Sequence, residues 1–167
     1  MRSFLVGLPI MALAAVAQST IFTQYHLLGG TLDLGLLLVL GWTLTGESAG
    51  GVAWGFMGGL CLDLLSGGPL GTMTLGLTAV AYLAGLTEGR FWGSHVLLPL
   101  ALALLGTAVF HVVNLAVLSA AGYAVSWGAG LARVALPSAL VNTLLMLPIY
   151  YALRWVHAQV YPRAVTA

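Results

Sequence analysis

The chain has 167 residues, of which 60% are hydrophobic and 5% charged, whereas a soluble domain carries about a quarter charged residues. Five arginines, no lysine and four acids leave a net charge of +1, which excludes a water-facing surface and any electrostatic case for nucleic acid as a partner. A single cysteine, Cys61, excludes an internal disulfide or thiolate metal cluster and reads as a small buried hydrophobe.

A helix crossing the hydrocarbon layer needs roughly 20 apolar residues, and six candidate spans follow in chain order, at about 4–21, 32–45, 50–65, 70–87, 96–121 and 135–155. The first begins like a secretory signal, with Arg2, an apolar run and Ala15-Val16-Ala17. It is read as a retained helix, because the later spans need it to fix their direction. The second is short enough to be re-entrant. However, residues 32–65 as one helix would reach about 50 Å, too long for one crossing, so a turn at Thr45-Gly46-Glu47-Ser48 divides them. Asp33 and Glu47 then mark helix N-termini, where the dipole favours negative charge.

The third span carries Gly51, Gly55, Gly59 and Asp63 at every fourth residue, one helical stripe of three glycines and a carboxylate. The fourth has a matching row in Gly71, Thr74, Thr78, Ala81 and Gly85. Small residues at this spacing let helices approach closely, so the two are expected to pack against each other or against a partner's helix. Between them, Ser66, Gly67, Gly68, Pro69, Leu70 and Gly71 form a reversal in which the glycines end one helix and Pro69 opens the next. Asp63, in the last turn of its helix, is opposed by that helix's dipole. The amides around residues 70–72 or Arg133 are its candidate partners. An intramembrane acid is a functional candidate by default, and Asp63 either locks this turn or contacts a partner or solute.

Glu88 and Arg90 follow the fourth span as an interfacial pair. His111 and Asn114 share one face of the fifth helix, and Asn142 lies at a comparable depth on the sixth. An interhelical Asn114–Asn142 hydrogen bond, worth about 0.6 kcal/mol, is expected; the alternative is a pocket using His111. Residues 122–133 are read as lying along the surface before Pro137 starts the last span.

With six spans, Arg2, Arg90, Arg154 and Arg163 fall on one side and Arg133 on the other. The positive-inside rule makes both termini cytoplasmic, with Trp92, Tyr150, Tyr151 and Trp155 as interfacial anchors. The sequence holds no HExxH, Gly-x-Ser-x-Gly or phosphate-cradling loop. With no lysine to act as base or nucleophile, no enzyme, cofactor or metal site is expected.

The stretch from Gly55 through Gly58-Gly59-Leu60-Cys61-Leu62-Asp63 to Ser66-Gly67-Gly68-Pro69-Leu70-Gly71, followed by Ala81-Tyr82-Leu83-Ala84-Gly85-Leu86, closely resembles the central signature of the MreD family of rod-shape-determining bacterial membrane proteins. Leu32-Asp33-Leu34, Pro137, Asn142-Thr143 and Pro148 also look like that family. A loop at 87–94 with one arginine is less basic than the family leads one to expect. The resemblance implies an all-α, single-domain protein of the bacterial cytoplasmic (inner) membrane, with six helices arranged like the substrate-binding subunits of energy-coupling-factor transporters. It implies a non-catalytic scaffold of the cell-elongation complex, acting with MreC, MreB, RodA, a class B penicillin-binding transpeptidase and membrane lipids in peptidoglycan synthesis. On this reading the glycine faces of the third and fourth helices, or the turn between them, dock the membrane helix of MreC. The competing reading is a solute-binding transport subunit with a pocket near Asp63 and Arg133.

Overall fold

The computed structural model describes residues 2–22, 30–46, 48–87 and 96–161. Glu47, Glu88, Arg90, Trp92, Arg163 and the side chain of Arg2 lie outside the described residues, as does all of the 87–94 loop after Thr87. The chain forms helices α1 (Arg2–Ala17), α2 (Leu34–Thr43), α3 (Ser48–Ser66), α4 (Thr72–Gly85), α5 (Leu97–Ala120), α6 (Trp127–Gly130) and α7 (Leu136–Val160). Wider π-type turns extend α1 over Gln18–Phe22 and join α6 to α7 over Leu131–Ala135. Among the described residues, three helical segments are long and apolar enough to cross a membrane: Ser48–Ser66, Leu97–Ala120 and Trp127–Val160. Gly7–Thr20, Leu34–Thr43 and Thr72–Gly85 are shorter apolar helices.

Contacts fix the direction of each helix. Gly55 and Gly59 of α3 face Leu77 and Thr74 of α4, so this pair is antiparallel. Gly7 and Gly58 place α1 alongside α3 in the same sense, through Trp54 and Met11. Gly76 of α4 meets Phe110 and Asn114 of α5, while Gly106 of α5 meets Val80 and Leu40, so α5 opposes both α4 and α2. Asp33 near the start of α2 bonds Asn142 of α7, and Gly41 near its end meets Leu153, so those two run parallel. Successive long helices therefore alternate in direction.

The core is centred on α2. Its Leu36, Leu37, Val39, Leu40 and Trp42 are fully buried, and it touches α1, α3, α4, α5 and α7. A helix that is apolar on every side belongs in the interior. Trp42 stacks on Trp54 of α3 with ring centroids 4.2 Å apart and planes 13° apart, a close, nearly parallel aromatic pair. After α2, Gly46 takes φ 96°, a left-handed conformation that glycine adopts without steric penalty, and the chain reverses into α3.

Two sequence expectations need correction. The second apolar stretch is helical over only 10 residues, Leu34–Thr43, with Thr31 and Asp33 leading into it as non-helical chain. Nor is the last helical run confined to 135–155: Pro137 sits in the first turn of α7, as expected, but helix continues unbroken over Trp127–Val160, 34 residues, so residues 127–133 belong to that run and it ends beyond residue 155. Pro137 has no N–H to donate, and its ring crowds the carbonyl of Arg133. The wide turn at Leu131–Ala135 just before it moves those carbonyls outward, so the helix passes through the proline instead of stopping there.

Candidate functional site

The glycine stripe of α3 is where α4 packs closest. A Cβ on Gly59 would strike the backbone of Thr74, and one on Gly55 would lie 2.8 Å from the Leu77 carbonyl oxygen. Gly51, on the same stripe, faces Thr43 of α2 instead. Such backbone approach is the packing that small residues permit where lipid offers no hydrophobic drive between helices.

Asp63 closes the stripe, 2% exposed, and its carboxylate holds the start of α4. Oδ2 accepts the Gly71 N–H at 2.9 Å, the Thr74 N–H at 3.0 Å and the Thr74 hydroxyl at 2.6 Å, while Oδ1 accepts the Met73 N–H at 2.8 Å. The first amides of a helix have no partner within it and attract anions; here the anion is delivered by the preceding helix. The reversal needs two left-handed residues, Gly67 at φ 66° and Gly71 at φ 99°. The Thr72 hydroxyl donates to the Pro69 carbonyl at 2.9 Å. Helix α4 thus begins at Thr72, with Pro69 inside the turn, and the partners of Asp63 are at residues 71, 73 and 74. Arg133 is exposed and makes no ion pair with Asp63 among the described residues.

The packing decides which surfaces remain open. Gly55, Gly59 and Asp63 are buried between α3 and α4 within the chain, so this ridge is closed to a partner's helix. The turn is open. Ser66, Gly67 and Gly68 are exposed, flanked by Leu64 and Leu70 at 68% and 70% exposure.

A second polar centre lies at the same end of the bundle, where α2, α5 and α7 meet. The Asp33 N–H donates to Asn142 Oδ1 at 3.0 Å, and Asn142 Nδ2 donates to Asp33 Oδ2 at 3.0 Å and to Thr107 Oγ1 at 3.2 Å. The backbone N–H can only donate, so Asn142 turns Oδ1 towards it, which fixes the orientation of the amide. The Thr107 hydroxyl donates onward to the Ala103 carbonyl at 2.7 Å. One helical turn before Asn142, Ser138 Oγ accepts the Thr31 N–H at 2.9 Å and lies 3.0 Å from the Thr31 hydroxyl. Gln18 Oε1 accepts the Gly35 N–H at 3.0 Å. Asn142 and Thr107 are wholly buried, and their bonds within this network stand in for water, as burial requires.

The expected Asn114–Asn142 bond is not formed, because Asn142 is taken by Asp33 and Thr107. Asn114 Nδ2 instead points at Met73 Sδ, 3.8 Å away, and its Oδ1 is buried without a partner. His111 Nδ1 is 2.9 Å from the Thr107 carbonyl oxygen. A carbonyl only accepts, so the proton is on Nδ1 and Nε2 carries a lone pair in the neutral ring. Asp33, His111, Asn114 and Met73 line one cavity of about 360 Å³, which reaches the turn at Gly68 and Pro69. Its lining includes Met73, whose N–H Asp63 holds, and Gly130 and Val134 on either side of Arg133, so it opens in the region where the transport reading placed a pocket, with Asp33 in the lining in place of Asp63 and Arg133.

A family model for the rod shape-determining protein MreD matches residues 1–156. The chain belongs to the MreD family. No curated protein and no solved structure shows significant similarity to it. The MreD match spans both polar centres and all the long helices but for the last residues of α7, and it establishes a membrane protein concerned with rod shape. Of the residues in those centres, Asp33, Thr74, Thr107 and Ser138 were not identified from sequence as site residues. Asp33 was readable only as a helix marker, although an acid next to an apolar run is a signal in itself. The hydroxyls carried no signal, since Ser and Thr are common in membrane helices.

Proposed function

We propose that this MreD-family chain is a non-catalytic scaffold of the cell-elongation complex, which docks MreC through the α3–α4 turn and helps position RodA, its class B transpeptidase partner and MreB for peptidoglycan synthesis. The observation that carries this reading is the Asp63 clamp. Four hydrogen bonds from residues 71, 73 and 74 fix a turn whose flanking leucines, Leu64, Leu65 and Leu70, are exposed. A rigid, apolar, solvent-reaching feature costs little to order on binding, and charge at such an acid directed wholly inward suits a hold better than a reaction.

The same reading has six crossings in the inner membrane, with both termini cytoplasmic and a plan like that of energy-coupling-factor substrate-binding subunits. The alternating helix directions support it, as do Arg154 and Arg133 on helical segments at opposite ends of the bundle. The turn then faces outward, towards the cell-wall synthases. Co-purification of MreC with Leu64→Asn, Leu70→Asn and Gly67→Val variants tests the interface. Loss of MreC at an unchanged membrane level of the variant is expected; full retention by all three places the contact elsewhere and ends this assignment.

A further inference from the structure

The cavity beside the turn has chemistry that the scaffold role leaves unused. Asp33 is 6% exposed, and one of its carboxylate oxygens, Oδ2, is bound to Asn142. The other, Oδ1, has no hydrogen-bond partner among the described residues. His111 is tied through Nδ1 to Thr107, which in the neutral ring makes Nε2 a second acceptor. Both residues line the cavity, and among the described residues no arginine does. Arg133 is exposed next to the lining residue Val134 and forms no ion pair with Asp33 among the described residues. The open Oδ1 of Asp33 favours a donor that carries positive charge, because charge-assisted hydrogen bonds are the stronger ones. Phe110, Leu115, Leu118 and Val134 form an apolar remainder of the same cavity, so the complementary molecule has a cationic head and an apolar body.

We propose that this cavity binds the primary ammonium group of an amphiphilic amine, with Asp33 Oδ1 and His111 Nε2 accepting its N–H groups while Leu115, Leu118 and Val134 hold the apolar body. An ammonium has three donors and meets both acceptors at once; a quaternary ammonium has none and cannot. The amine is carried either by an ethanolamine lipid headgroup or by a free single-chain amphiphile.

Native mass spectrometry of the purified chain tests this with phosphatidylethanolamine, phosphatidylcholine of the same acyl chains, dodecylamine and free ethanolamine. Phosphatidylethanolamine is expected to be retained about tenfold over phosphatidylcholine, the worth of a charged hydrogen bond. Displacement of dodecylamine by phosphatidylethanolamine identifies the lipid as the source, and retention of dodecylamine with no preference between the lipids identifies a free amphiphile. His111→Leu and Asp33→Asn abolish the preference. Val134→Trp, at a position 40% exposed and outside the polar network, fills the cavity in a folded protein and lowers retention of every amine. Equal retention of the two lipids without binding of dodecylamine overturns the proposal, as does a preference that survives His111→Leu and Val134→Trp.

Discussion

Gly59 of α3 and Thr74 of α4 meet backbone to backbone, with no room between them for even a methyl group. Because the obstacle is main chain, no side-chain rotation relieves it. Gly59→Ala is expected to lower stability by about 3 kcal/mol, the upper end of overpacking costs. Gly68→Ala, whose Cβ would lie 3.5 Å from the Ser66 hydroxyl, is expected to be nearly neutral. Thermal unfolding of the two variants in one detergent gives the ordering, and equal midpoints would contradict the close approach.

Asp63→Asn keeps the volume of the side chain but turns an amide NH₂ towards the donors at the start of α4. With at least one of the four bonds to residues 71, 73 and 74 lost and a donor facing donors, a loss of about 3 kcal/mol is expected. Thr74→Val removes only the hydroxyl bond and is expected to cost about 1 kcal/mol. A denaturation series that ranks these two the other way would show that the carboxylate is not what holds the turn.

Asn142→Leu leaves the Asp33 N–H and one carboxylate oxygen without partners inside the protein. The expected cost is about 3 kcal/mol, against about 1 kcal/mol for Thr107→Val. The two share one network, so the double variant is expected to be less destabilised than the sum of the singles. A double-mutant cycle measures this, and strict additivity would mean the two side chains act independently.

Trp54→Ala removes the ring that stacks on Trp42 and against which Gly7 of α1 packs. A loss of about 4 kcal/mol is expected, and Trp54→Phe recovers most of it. Protease protection of α1 reads out the same contact, since α1 packs chiefly on α3.

The sequence made some of these relationships legible and hid others. Gly55, Gly59 and Asp63 announce a close helix pair because helical periodicity brings them onto one line, and the glycine turn after Ser66 announces its reversal by composition. Partners 109 residues apart, such as Asp33 and Asn142, depend on the register between two apolar helices, for which an apolar sequence carries almost no code. Asn142 bonds whichever unsatisfied amide lies at its level, and that is the N–H at the head of the central helix instead of Asn114. The length of α2 was hidden for a related reason: an uninterrupted apolar run does not reveal where extended chain becomes helix. Pro137 marks the first turn of α7 but not the start of the helical run, because the preceding wide turn carries helix on through it.

Trp127–Val160 forms a rod of 34 residues, about 50 Å end to end, against about 30 Å of hydrocarbon. Tilt absorbs a part of that excess, and the remainder stands among the headgroups as a stiff post. Near its middle it carries Ser138 and Asn142, the two side chains that grip the head of α2. A sideways load on the post therefore reaches the centre of the bundle directly through α2, as well as through α5 beside it.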